Sequence, residues 1–229
     1  MPVKVIAFDA DDTLWVNEPY FQETENKFCA LLEDFLPHHT MMKELFKTEM
    51  QNLAIYGYGI KAFILSMIET ALRVSNNSIS PAIIEKIIQY GKDQLDRPIE
   101  MLDGLEEALR LLKNKYRLVM ATKGDLLDQE RKLKKSGLER YFHHIEIMSD
   151  KQEPDYQKLI RHLDIMPEEF LMIGNSLKSD VMPVLAIGGH AIHIPYHTTW
   201  AHEVVEHTVE HPNFRQAGHI KDILPHLLS

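Results

Sequence analysis

The chain has 229 residues, 45% of them hydrophobic and 26% charged, and a formal net charge of -9 at pH 7. This is the composition of a soluble globular chain forming one large domain or a core with an insertion, and the acidic balance without a long basic run disfavours nucleic-acid binding. Cys29 is the single cysteine, so an intrachain disulfide is excluded and a reducing compartment is expected; with no run of membrane-spanning length and no basic N-terminal region leading into a long apolar one, the chain reads as cytoplasmic.

Residues 3–8 are mostly apolar and rich in β-branched side chains, which predicts a buried strand. Asp9-Ala10-Asp11-Asp12-Thr13 follows at once, placing two or three carboxylates at the strand's carboxyl end, where open α/β sheets bind ligands. Crowded carboxylates raise one another's pKa unless a cation is present. The cluster therefore implies a bound metal or a proton shared for catalysis; the plainer alternative is a polar turn, which Asp favours.

The next stretch is helical in pattern. Phe28, Leu31, Leu32 and Phe35 recur at i, i+3, i+4, i+7 before Pro37, and Ile60, Phe63, Ile64, Met67, Ile68, Ala71 and Leu72 keep the same period. Ser80-Pro81 reads as an N-cap with proline at the first helical position, ahead of Ile83, Ile84, Ile87 and Ile88. These stripes predict a small helical bundle over residues 18–96. Cys29, beside Phe28, reads as a packed apolar residue rather than a nucleophile.

From Arg97-Pro98 the grammar becomes alternating. Helices are expected over 105–113 (capped by Asp103), 125–136 (closed by Gly137), 155–163 and 178–187, and strands over 116–121, 145–148, 170–173 and 190–194, the last being the final core strand. Alternation of this kind predicts an α/β fold with a doubly wound parallel sheet. The first strand joins that sheet, so the core spans 1–17 and 97–229 and the helical segment 18–96 is an insertion.

In such a sheet four strand ends converge on one edge. The first carries Asp9 and Asp11, the second Thr122-Lys123-Gly124, the third Ser149-Asp150-Lys151, and the fourth Gly174-Asn175-Ser176 with Asp180 following. One crevice would then hold several acids, a hydroxyl and one or two lysines.

These clusters, in this order, resemble the haloacid dehalogenase superfamily of hydrolases, in its phosphatase branch with a helical cap. The resemblance covers nearly the whole chain and implies a Rossmann-like core, a Mg²⁺ cofactor and a small phosphomonoester as substrate, with no membrane or nucleic-acid partner. It implies Asp9 as the nucleophile that forms an aspartyl-phosphate. Asp11 becomes the general acid and then the base. Thr13 orients the loop. Asp12 stands where relatives commonly have Gly and is taken as a turn carboxylate. Thr122, the backbone amide of Lys123, and Lys151 would bind the phosphoryl group. Relatives often have Pro directly after this lysine, whereas Gln152-Glu153 intervene here; Lys158 is the fallback.

Phosphate approaching an aspartate meets a repulsion of about 4 kcal/mol at 4 Å with an effective dielectric near 20. A divalent cation cancels it, and Asp9, Asp11 (through its backbone carbonyl), Asn175 and Asp180 would hold Mg²⁺ with hard oxygens. Asn175 stands where relatives usually have Asp, which removes one negative charge and predicts weaker binding.

Other readings diverge on particular residues. A dehalogenase has no use for an acid at Asp11. A phosphonatase needs a Schiff-base lysine, for which Lys61 is a candidate, and a phosphosugar mutase would share every catalytic residue. A phospho-accepting receiver leaves the helical insertion unexplained, and a catalytically silent phosphate-binding relative is motivated by Asn175. Tyr58 and Lys61 could face substrate or merely form a helix-entry turn. The C-terminal histidines, His190, His193, His197, His202, His207, His211 and His219, read as part of an irregular loop packed by Tyr196 and Trp200, not as a metal site: the five-residue spacing of His197 and His202 does not stack on one helix face.

Overall fold

The structure, a computed structural model, describes residues 3–228. β1 (Val5–Phe8) is followed by four helices, α1 (Glu18–Leu31), α2 (His38–Tyr56), α3 (Ile60–Val74) and α4 (Pro81–Asp96). Then come α5 (Leu105–Leu112), β2 (Arg117–Lys123), α6 (Leu126–Ser136), β3 (His144–Met148), α7 (Glu153–His162), β4 (Phe170–Gly174), α8 (Met182–Ala186), β5 (His190–His193), β6 (Phe214–Gln216) and α9 (Leu224–Leu228). Among the described residues no helix is long and apolar enough to cross a membrane.

The sheet runs β3-β2-β1-β4-β5-β6 with every neighbouring pair parallel. Parallel strands are covered on both faces, and β1 shows it residue by residue. Ile6 and Phe8 pack with Leu105, Leu109 and Leu112 of α5 and Leu133 of α6, whereas Val5 and Ala7 pack with Tyr156 and Leu159 of α7 and Val184 of α8. All four β1 side chains are fully buried, each large one contributing about 1.5–3 kcal/mol by burial. The strand order reverses at β1, which has β2 on one side and β4 on the other; such a switch point opens a crevice at the carboxyl ends.

By internal contacts the chain forms two compact units. One comprises Met1–Glu18, Ile99–Lys123 and Gln129–Ser229 and holds the sheet; the other comprises Pro19–Pro98 and Gly124–Asp128. The helical unit has its own core, including Phe28, Cys29, Leu32, Met41, Leu45, Phe63, Met67 and Ile87. The stretch Gly124–Asp128, which the sequence reading left with the sheet, groups with the helices.

Three local expectations change. β5 is not the final strand, because β6 pairs with it, Ala191 opposite Phe214; three residues are too few to show a period of two. The segment expected as one helix over 178–187 begins as a π-turn, Leu177–Val181, before α8. The residue at the N-cap of α5 is Gly104, at φ 71 and ψ -3, rather than Asp103.

Candidate active site

Register brings the clusters together. Phe8 lies opposite both Met120 and Ile173, so Asp9 stands level with the ends of β2 and β4, and its N–H extends the ladder to the Ile173 carbonyl at 2.9 Å. The loop after Asp9 is tight. The Asp12 N–H donates to the Trp15 carbonyl at 2.7 Å, and Asp12 takes φ 60, a left-handed conformation that favours glycine. Asp12 holds it by accepting hydrogen bonds from Asn17 N–H at 2.8 Å and Glu18 N–H at 3.0 Å, capping the entry to α1. Burial pushes its carboxyl up to about 7 against those bonds.

Lys151 is buried at the end of β3, 1% exposed, and its ammonium donates to Asp9 Oδ1 at 2.5 Å and Asp180 Oδ1 at 2.7 Å. Lys158, the alternative, is exposed. Burial alone would lower the pKa of the Lys151 ammonium, but Asp180 and Asp9 together outweigh it and hold it above the usual lysine value. Two carboxylates cannot both be matched by one ammonium. Asp9 carries the difference: burial, with Asp180 repelling it, pushes its carboxyl up to about 7 despite Lys151.

Asp180 is fixed from both sides, its other oxygen accepting Ser176 N–H at 3.0 Å. A Cβ on Gly174 would lie 2.1 Å from that oxygen, so only glycine lets the strand end approach so closely. Tyr156, buried on α7, donates to the Ser179 carbonyl at 2.9 Å and braces the same turn. His193 donates through Nε2 to the Asn175 carbonyl at 2.9 Å, and burial holds its pKa below the ordinary value.

Asn175, Asp9 and the main chain of Asp11 converge. One terminal atom of the Asn175 amide lies 3.1 Å from the Asp11 carbonyl oxygen and 3.2 Å from both Asp9 Oδ2 and Thr13 Oγ1. Turned inward as NH₂, the amide donates to all three. Turned inward as oxygen, it completes a trio of hard acceptors at close spacing, and hard oxygen sets fit Mg²⁺. Among the described residues no three His, Cys, Asp or Glu side chains form a metal-holding group; of this trio only Asp9 contributes such a side chain.

The Asp11 side chain points elsewhere. It accepts from Trp15 Nε1 at 2.7 Å, Lys132 Nζ at 2.6 Å and Gln129 Nε2 at 2.9 Å. Thr122 is buried at the same sheet edge, with its hydroxyl donating to the Lys123 carbonyl at 3.3 Å. The Lys123 ammonium donates to Ser179 Oγ at 2.8 Å and Glu203 Oε1 at 2.5 Å. Glu203 also accepts from Ser176 Oγ and, at 2.6 Å, from Ser179 Oγ. Burial would raise this carboxyl, but Lys123 and the serine hydroxyls pull it down to about 2.

Trp15, Gln129, Lys132 and Glu203 escaped the sequence reading. Trp15 carried a signal, standing four residues after Asp11, and Gln129 and Lys132 share a helix face at i, i+3. Glu203 carried none, since it lies in a segment without period. In these contacts four carboxylates (Asp9, Asp11, Asp180, Glu203) pair with three lysines (Lys123, Lys132, Lys151), Lys151 serving two of them.

Comparison with known proteins adds to this geometry. The family described as haloacid dehalogenase-like hydrolase matches residues 3–188. Two curated relatives are named glyceraldehyde 3-phosphate phosphatase. The one from Methanopyrus kandleri is 22% identical over 185 residues, 78% of this chain and 78% of the relative. The one from Pyrococcus furiosus is 24% identical over 208 residues, 85% of this chain and 81% of the relative. A solved haloacid dehalogenase-like family hydrolase from Xanthomonas campestris is 37% identical, with a TM-score of 0.88 over 98% of this chain and 91% of that one.

Proposed function

The chain belongs to the haloacid dehalogenase-like hydrolase family, and from that premise we propose that it is a Mg²⁺-dependent phosphohydrolase acting on a small phosphomonoester through an aspartyl-phosphate. The observation that carries the reading is Asp9 itself, which shares the single buried Lys151 ammonium with Asp180. A carboxylate left part-matched in this way suits a cationic cofactor and a phosphoryl electrophile.

Asp9, the Asp11 carbonyl and Asn175 would hold Mg²⁺, which supplies charge neutralisation when bound. Asp180 is spent on Lys151 and Ser176, so in this reading it acts by orienting Lys151. Asp9 attacks phosphorus with one carboxylate oxygen; the alcohol leaves, and water then cleaves the acyl-phosphate. Lys151 holds the nucleophile and stabilises the charge that develops on the phosphoryl oxygens, with Thr122 and the Lys123 N–H as further donors. Asp11 serves the proton transfers. For both transfers its pair with Lys132 must open: the carboxyl gives its proton to the leaving oxygen and takes one back from the hydrolytic water.

The helical unit is the proposed cap, choosing substrate and excluding water. Lys61 pairs with Asp125 at 2.9 Å on an exposed side chain, which removes the buried lysine a phosphonatase would need. The names of the curated relatives make phosphorylated three-carbon aldehydes the first substrates to try. The test is phosphate release from a panel of sugar and triose phosphates with Mg²⁺ or EDTA; conversion to an isomeric phosphate without release would favour the mutase reading.

A further inference from the structure

Residues 194–213 lie between β5 and β6 and beyond the stretch matched by the family, which ends at residue 188. The sequence reading treated this segment as packing. Its tip does something more specific. The Glu203 carboxylate, 10% exposed, meets three donors from two separate strand ends: Lys123 Nζ at 2.5 Å, Ser179 Oγ at 2.6 Å and Ser176 Oγ. The adjoining His202 carbonyl takes Lys178 Nζ at 2.8 Å, and the His202 ring lies tilted against Trp200 with centroids 4.9 Å apart.

Each of the three partners is next in sequence to a residue of the candidate site. Lys123 follows Thr122, Ser176 follows Asn175, and Ser179 precedes Asp180. Ser176 already caps the turn by accepting Ser179 N–H at 3.0 Å, and its one hydroxyl proton goes to Glu203. The turn itself is a π-turn, a rare geometry found mostly as single turns. A single carboxylate therefore ties the loop after β2 to the loop after β4.

We propose that Glu203 is a positioning residue: a strut from the segment between β5 and β6 that holds the phosphate-binding end of β2 in fixed relation to the Asn175–Asp180 turn. The proposal rests on the phosphohydrolase reading for its catalytic consequence, and on geometry alone for the strut. Misplacement of a reacting group by about 1 Å costs on the order of 100-fold in rate. Glu203→Ala removes the strut; Glu203→Gln keeps the shape and an acceptor oxygen.

The test has two arms, both run well below the melting temperature. In hydrogen–deuterium exchange, E203A is expected to speed exchange in both 122–124 and 174–181, with E203Q between it and the wild type. In steady-state kinetics on an aryl phosphate, E203A is expected to lower kcat by about 100-fold with KM changed by less than about threefold, and E203Q to recover at least about tenfold of that loss. Unchanged exchange in either loop overturns the strut. Faster exchange with kcat within about threefold of wild type overturns the positioning role. A wild-type protein that releases no phosphate sinks the phosphohydrolase reading instead, and the exchange arm then judges the strut by itself.

Discussion

Lys151 and Asp180 meet at 2.7 Å with both side chains 1% exposed, although 29 positions separate them in the chain. A pair so deeply buried cannot be broken cheaply, because removing one partner strands the other charge away from water. Lys151→Met strands two carboxylates, Asp9 and Asp180. The expected cost is about 3–5 kcal/mol, a fall in melting temperature of about 10 °C for a chain of this length, together with loss of phosphate release. A thermal melt beside a phosphate assay checks both; a variant that keeps the wild-type melting temperature would contradict the shared-ammonium geometry.

Asp9 gives a prediction of the opposite sign. Its carboxyl is raised from the ordinary value to about 7 by burial, so between about pH 4 and 7 the folded protein binds more protons there than the unfolded chain. Stability is therefore lost as pH rises through that window, and the deficit is complete above it. Asp9→Asn removes the deficit. Without divalent cation at pH 8 the variant is expected to be inactive yet to melt about 5 °C higher than wild type, with the difference gone at pH 4. Melts at the two pH values decide it.

The fold was legible because its signals are long-range in composition and short-range in pattern: short apolar runs at the buried strands, apolar stripes in α3 and α4, Pro37 and Gly137 as breaks. The candidate residues at or after strand ends, Asp9, Lys151, Asn175 and Asp180, lie near one another for the same reason, since a parallel sheet gathers the segments that follow its strands. What stayed hidden arrives by tertiary packing alone. Lys132 reaches Asp11 across 121 positions and Glu203 reaches Lys123 across 80, and no local spacing encodes either. β6 was missed because three residues carry no period.

The helical unit contains a further acidic pair. Glu49 on α2 is pushed up to about 8 by burial and by Glu25, itself raised to about 7 by burial. Glu49 Oε2 is a buried atom with no hydrogen-bond partner among the described residues. The folded protein again holds extra protons, here between about pH 4.5 and 8, so stability declines as pH rises across that range. Glu49→Gln is expected to raise the melting temperature by about 3 °C at pH 8.5 and to leave it unchanged at pH 4. Equal shifts at both pH values would show that the carboxylate charge is not the cause.

The central claim is that Asp9 is a nucleophile served by a divalent cation. Its most direct test is phosphate release from glyceraldehyde 3-phosphate and a generic aryl phosphate, by wild type and Asp9→Asn, with Mg²⁺ and with EDTA. The account predicts release by wild type with Mg²⁺ alone, and none from the variant, which remains folded. Release that persists in Asp9→Asn or in EDTA would contradict it.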